Sequence, residues 1–147
     1  MFSWLFSDPL PPGTKAPDFS LPDEAGRTVR LSQLKGRNVV LVFYPGDDTP
    51  GCTKQLCEFR DDWKEARSRR VEVFGVNPQG AQSHEKFRRK YKLPFPLLVD
   101  HGQKVAALYR ANGLIVKRTV YLIGPDGVIR FARRGKPVPE EVLEAAG

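Results

Sequence analysis

The sequence predicts an α/β protein: a central mixed β-sheet flanked by helices, with a β-hairpin extension at the amino end. Three observations carry that expectation. Residues 39–43, Val-Val-Leu-Val-Phe, are a continuous apolar run, and residues 71–76, apolar but for Glu72, read as a second buried strand, as a sheet covered on both faces requires. Each run is followed by a segment with helical apolar spacing, the alternation that builds parallel pairing. Near the carboxyl end two strand-like segments flank Pro125-Asp126-Gly127, which adds an antiparallel hairpin. No internal repeat and no domain-separating linker is visible. Residues 13–147 are therefore expected to form one domain, preceded by an arm at residues 1–12.

The elements follow in order. Residues 8–17 are rich in proline and glycine and hold no helix. Phe19-Ser20-Leu21, the turn-prone Asp23-Glu24-Ala25-Gly26, and Val29 with Leu31 read as a hairpin. Residues 31–36 make one short helical turn closed by Gly36. Residues 38–44 form the first buried strand, and a loop runs from Pro45 to Gly51. Leu56, Phe59 and Trp63 recur at i, i+3 and i+7, one face of a helix that begins at Cys52 and runs to about Arg69. Residues 71–76 are the second buried strand. Residues 83–92 are a helix with Phe87 and Tyr91 on one side. Residues 97–99 form a short strand ending at Asp100, and residues 103–109 a short helix. The hairpin pairs residues 119–123 with 128–132, and residues 139–146 form a last helix.

Composition narrows the function. The chain has 147 residues, 40% hydrophobic and 28% charged, which suits a folded globular domain. Residues 1–6 are apolar except for Ser3, but they lack the basic flank and length of a secretory signal. They read as a short arm packing on the domain or on another subunit. No run is long enough for a transmembrane helix, so stable membrane insertion is not expected. The net charge of +7 invites a nucleic-acid reading, yet the basic residues are dispersed and match no nucleic-acid motif. A solvated basic surface accounts for them. Two cysteines, Cys52 and Cys57, are too few for a disulfide-stapled secreted domain. They point to redox chemistry in a reducing compartment, with the cytoplasm as the expected location. His84 and His101 have no zinc-finger spacing to them, so no metal is expected.

Cys52 follows a buried strand and a loop and opens a helix. Sites in such sheets gather at the carboxyl ends of strands. Free N–H groups and partial positive charge at a helix start favour a thiolate, the nucleophilic form of cysteine. Thr49, three residues earlier, is close enough in a folded loop to reach the sulfur and orient a substrate oxygen. Pro45 and Pro50 stiffen and shield the loop. The competing reading makes Cys52 an inert buried thiol and Thr49 an ordinary helix cap. Cys57 is also open to two readings. Five helical residues rise about 7.5 Å and turn about 140°, whereas a disulfide needs Cα atoms within about 7 Å and converging Cβ vectors. Either Cys57 is passive core, or the first turns unwind when Cys52 is oxidised.

Residues 44–61, Tyr-Pro-Gly-Asp-Asp-Thr-Pro-Gly-Cys-Thr-Lys-Gln-Leu-Cys-Glu-Phe-Arg-Asp, resemble the active-site segment of peroxiredoxins. The P-x-x-x-T-x-x-C pattern resembles that of peroxiredoxins in general, and a second cysteine after four intervening residues resembles the bacterioferritin-comigratory-protein, or PrxQ, type. The resemblance continues through Ala16-Pro17-Asp18-Phe19, residues 83–87, residues 93–100 and residues 118–127, and covers roughly residues 13–146. It implies a thioredoxin-like fold and a thiol peroxidase with no cofactor. It makes Cys52 the peroxidatic cysteine, Cys57 the resolving cysteine, Thr49 a peroxide-binding group, Pro45 a shield and Arg118 the active-site arginine. The implied substrates are hydrogen peroxide and alkyl hydroperoxides. The implied reductant is thioredoxin or glutaredoxin, and the expected assembly is a monomer or weak homodimer. Residues 1–6 have no counterpart in the pattern, and the last helix is short.

Two other chemistries fit less well. Disulfide oxidoreductases of this fold use C-x-x-C, with two intervening residues rather than four. A copper-binding assembly factor would use cysteines three residues apart and would leave Thr49 and Arg118 without purpose. His84 reads as a helix-surface histidine or as a second polar group near the site. Glu58 and Arg60 read as local ion-pair partners that steady the helix.

Overall fold

A computed structural model describes residues 8–147. The apolar arm expected at residues 1–6 lies outside the described residues. A small two-stranded antiparallel sheet pairs β1 (Ser20–Pro22) with β2 (Thr28–Arg30), which is the expected amino-terminal hairpin. The central sheet is formed by β3 (Asn38–Phe43), β4 (Val71–Asn77), β5 (Leu97–Val99), β6 (Thr119–Ile123) and β7 (Ile129–Arg134), in the order β5-β4-β3-β6-β7. β3, β4 and β5 are parallel, while β6 and β7 join antiparallel. The sheet is therefore mixed, with β3 at its centre.

The apolar run of β3 is buried at every position because both faces are covered. Val39, Leu41 and Phe43 face a layer with Phe19, Leu31, Val105 and Tyr109. Val40, Val42 and Tyr44 face the opposite layer, with Leu56, Phe59, Phe87 and Val142. Period-two alternation along the strand thus supplies two cores from one run of sequence. Gly75 in β4 marks a close approach. A methyl group there would lie 2.7 Å from Leu97 Cδ2 and 2.9 Å from Tyr44 Cε1.

Helices α1 (Pro50–Asp61), α2 (Trp63–Ser68), α3 (Ala81–Tyr91), α4 (Lys104–Leu108) and α5 (Pro139–Leu143) complete the fold. Three expectations need correction, one being the last helix, which ends at Leu143 rather than residue 146. The helix expected over residues 52–69 starts two residues earlier, at Pro50. Proline suits a first helical turn, where its missing N–H is not needed. It also breaks at Asp62, whose φ of −95° and ψ of 16° lie off the helical basin. Aspartate favours such ends over helix interiors. α4 covers less than residues 103–109, and a tighter 3-10 turn, His101–Gln103, precedes it. The buried Asp100 accepts the amides of Val105 and Ala106, both at 2.9 Å, and so fixes the start of α4.

The parallel strands bring the end of β3, the end of β4 at Asn77 and the start of α3 to one edge of the sheet. The loop that leads from β3 into α1 crosses that edge.

Candidate active site

Cys52 is the third residue of α1 and is fully buried. Thr49 occupies the cap position in extended backbone conformation, but its side chain makes no capping hydrogen bond. Its hydroxyl donates instead to the Gly46 carbonyl at 3.2 Å, while its own carbonyl accepts the Thr53 amide at 2.8 Å. The first turn carries no acidic residue, so no carboxylate competes there with a thiolate. The buried Thr53 Oγ1, one residue beyond Cys52, has no hydrogen-bond partner among the described residues. Pro45 is half-buried between Tyr44 and the loop.

Cys57 is half-buried on the same helix and packs against the cluster that contains Cys52. Both cysteines are free thiols. Burial pushes the Cys57 thiol above its ordinary range. Arg60 pulls it back in part, and Asp61 adds to the rise. With α1 helical across both positions, the pair is in the intact-helix geometry that cannot close a disulfide.

Arg118 immediately precedes β6, and its guanidinium lies against the first turn of α1. A methyl group on Gly51 would sit 3.3 Å from Arg118 Nη2 and 3.6 Å from Lys136 Nζ. Two cations therefore lie beside the residue before Cys52, and a methyl group there would press on Arg118. Arg118 Nη1 donates to Gln55 Oε1 at 2.9 Å, and Gln55 Nε2 donates to the Gly135 carbonyl at 3.3 Å. The Gly135 amide closes the circuit on the Arg118 carbonyl at 2.8 Å. The buried Gln55 thus orients Arg118 from within the same helix that carries Cys52.

The loop from Pro45 to Thr49 is held by two adjacent aspartates. Asp47 accepts Tyr44 Oη at 2.6 Å and Asn77 Nδ2 at 3.2 Å on one oxygen. Its other oxygen meets Ser83 Oγ at 2.7 Å and His84 Nδ1 at 2.6 Å. Burial alone would raise the Asp47 carboxyl, but the hydrogen bonds from His84, Tyr44 and Ser83 and the His84 charge outweigh it and hold the group below its ordinary range. Tyr44 is pushed well above the usual phenol range by burial first, then by Asp47 and by Cys52. Its hydroxyl therefore stays a donor. Asp48, with φ of 58°, accepts Lys90 Nζ at 2.8 Å and Tyr91 Oη at 2.7 Å. Successive aspartates thus tie the loop to both ends of α3.

His84 departs from the helix-surface reading. It is fully buried between Asp47 and the Leu98 carbonyl, the latter 2.9 Å from Nε2. It occupies the apolar stripe of α3 with Phe87 and Tyr91, at i, i+3 and i+7, and a polar residue on that stripe is the signal that would have placed it inside. Gln55 is the same case in α1, where Cys52, Leu56 and Phe59 share its stripe. Arg60 does form a local ion pair, with Asp61 at 3.0 Å, and also donates to the Tyr91 carbonyl at 2.7 Å, which ties α1 to the end of α3.

A mixed sheet with a buried cysteine in the helical turn after its central strand, and an arginine against that turn, defines a thioredoxin-fold protein that presents one thiol at a helix start. The AhpC/TSA family model matches residues 12–132, and the chain belongs to that family. Its relatives are peroxiredoxins of the Q and bcp type. The chain is 43% identical to the chloroplastic peroxiredoxin Q of Oryza sativa subsp. japonica over 133 residues, which are 88% of this chain and 61% of the rice protein. It thus spans about three fifths of that relative's length. It is 40% identical over 147 residues to a Coxiella burnetii protein named as a peroxiredoxin bcp, covering 92% of this chain and 95% of that one. Among solved structures, the peroxidoxin BcpB of Mycobacterium tuberculosis superposes with a TM-score of 0.85 at 34% identity, over 91% of this chain and 94% of that one. The bacterioferritin comigratory protein of Xanthomonas campestris, described for its alkyl peroxide reduction activity, gives 0.82 at 26% identity, over 86% and 88%.

Proposed function

We propose that the protein is a thiol peroxidase that reduces hydrogen peroxide and organic hydroperoxides. The observation that carries this reading is the convergence of Arg118, Lys136 and the start of α1 on the Gly51-Cys52 peptide. Helix amides and guanidinium both stabilise negative charge, first on the sulfur and then on the oxygens of a breaking O–O bond.

The Cys52 thiolate attacks the terminal oxygen of the hydroperoxide. The O–O bond breaks, and the departing oxygen takes a proton and leaves as water or alcohol. Cys52 becomes a sulfenic acid. Thr49 helps to seat the peroxide, and Pro45 keeps bulk water from the sulfur. Cys57 then attacks the sulfenic sulfur, water leaves, and an intramolecular disulfide forms. One peroxide oxidises two thiols, so the electrons balance. Because an intact α1 keeps the two residues from pairing, its first turns must come apart at this step. A dithiol donor of the thioredoxin or glutaredoxin type restores both thiols by exchange.

Residues 13–147 act as one unit in this reading, as a monomer or weak homodimer. The proposed compartment is the cytoplasm, supported by a pair of free thiols in place of structural disulfides. The rice relative is chloroplastic by name. Among the described residues no helix is long and apolar enough to cross a membrane. Peroxide consumption by wild type and Cys52→Ser tests the activity. The substitution is expected to abolish turnover, and retained turnover overturns the assignment.

A further inference from the structure

The Asp47–His84 contact fixes a proton count that the peroxidase reading does not use. Asp47 receives four contacts, two per oxygen: Tyr44 Oη and Asn77 Nδ2 on Oδ1, and Ser83 Oγ and His84 Nδ1 on Oδ2. These hydrogen bonds hold the Asp47 carboxyl below its ordinary range, so at neutral pH it is an ionised carboxylate that can only accept. Nδ1 of His84 must then carry a hydrogen. On the far side of the ring, Nε2 faces the Leu98 carbonyl at 2.9 Å, and a carbonyl can only accept. Nε2 must carry a hydrogen as well. A neutral imidazole has only one such hydrogen. Either tautomer would press a nitrogen lone pair against an oxygen lone pair in a fully buried site, where an unmade hydrogen bond is costly.

We propose that His84 is held as a buried imidazolium whose ion pair with Asp47 makes it a positioning residue for the loop leading into Cys52. The groups packed around the ring agree with this. The loop supplies Asp47, α3 supplies Ser83, β4 supplies Asn77 and β5 supplies the Leu98 carbonyl. Tyr44 reaches the pair through Asp47. Asp23, which bridges to Leu98 along the backbone, uses Oδ1 on the amides of Ala25 and Arg27 at 2.8 and 2.9 Å. The ion pair spans the gap between the loop and two elements of the scaffold. It fixes the residues from Tyr44 to Thr49, and through them the start of α1. The inference rests on the peroxidase reading for its catalytic half, while the charge on His84 stands apart from it.

The test is long-range proton–nitrogen correlation NMR on reduced wild-type protein labelled at histidine, with the exposed His101 as reference, across the neutral range. Two protonated ring nitrogens on His84 are expected. One protonated and one bare nitrogen at neutral pH would overturn the imidazolium. In parallel, Cys52 oxidation by hydrogen peroxide is followed in His84→Gln and Asp47→Asn, with far-UV circular dichroism to confirm folding. A folded His84→Gln protein is expected to lose about tenfold to a hundredfold in rate through misplacement of the loop. If it oxidises at the wild-type rate, the positioning role is wrong. If either variant fails to fold, the wild-type spectrum still decides the charge, and His84→Asn replaces it in the rate measurement. Wild type that ignores peroxide would overturn the peroxidase reading and the positioning role together, whatever the ring nitrogens show.

Discussion

Gln55 and Arg118 are the residues whose coupling most directly serves the chemistry proposed for Cys52. Gln55 accepts from the guanidinium on one side and donates to the Gly135 carbonyl on the other. Hydrogen bonds to charged groups contribute about 1.5–3 kcal/mol. Gln55→Leu should therefore slow peroxide oxidation of Cys52 about tenfold or more, measured by stopped-flow, while the fold stays intact. Cys57 supplies a second prediction, read in Cys52→Ser where it is the sole thiol. Its thiol is raised, chiefly by burial, so little thiolate exists at neutral pH. Alkylation by iodoacetamide should be slow there and should accelerate only above the ordinary thiol range. Rapid neutral alkylation would contradict the burial. At this scale the sequence put forward Cys52, Cys57, Thr49 and Pro45 from motif and spacing, and Arg118 through the family resemblance; their roles remain part of the proposal. Gln55, Asp47 and His84 were not. Gln55 and His84 are polar residues on otherwise apolar helical stripes. Reading helices by their apolar members alone passes over them, although a polar residue on a buried stripe implies a specific partner.

α1 carries two demands that conflict. In the proposed cycle it must be helical to present amide charge to Cys52, and it must open for Cys57 to reach the sulfur. Hydrogen exchange after oxidation reads this conflict. Amides of residues 53–57, the first that bond within the helix, should be protected in the reduced protein and lose protection in the disulfide form, while β3 and β4 remain unchanged. Unchanged protection in α1 together with an intramolecular disulfide would contradict the geometry. The loop before α1 is held by Asp47 and Asp48 to α3, so the fixed end of the movement is the loop and the mobile part is the helix start. Gly75→Ala would force a methyl within 2.7 Å of Leu97 and 2.9 Å of Tyr44, and overpacking of this kind costs about 1–3 kcal/mol. A loss of unfolding free energy of that size is expected in urea titration, with a correspondingly lower midpoint. Strands were the most legible elements, since a short unbroken apolar run rich in β-branched residues suits a strand covered on both faces. The break of the long helix at Asp62 was hidden because the stripe of Leu56, Phe59 and Trp63 runs straight across it.

Across the whole molecule, two faces of one sheet bury separate cores, and the polar network at the carboxyl edge of the strands joins them to the loop. That network gives stability a pH dependence of known sign. Asp47 is held below its ordinary value of 3.8 in the folded state by His84, Tyr44 and Ser83 against the effect of burial. A carboxyl lowered on folding stabilises the fold above the unfolded value, and that contribution disappears as pH falls through the folded value. Urea unfolding should therefore show stability falling from about pH 5 downward, and less steeply in Asp47→Asn. The mixed topology follows from strand–helix alternation plus a closing hairpin, and it was readable at the start. The network was not, because it joins residues from the β3–α1 loop, β4 and α3 that only the folded sheet brings together. The measurement that bears most directly on the central claim is peptide mapping by mass spectrometry after one equivalent of hydrogen peroxide is added to the reduced protein. The account predicts an intramolecular Cys52–Cys57 disulfide in wild type and a trapped sulfenic acid on Cys52 in Cys57→Ser. Disulfides only between chains, or oxidation first at Cys57, would contradict it.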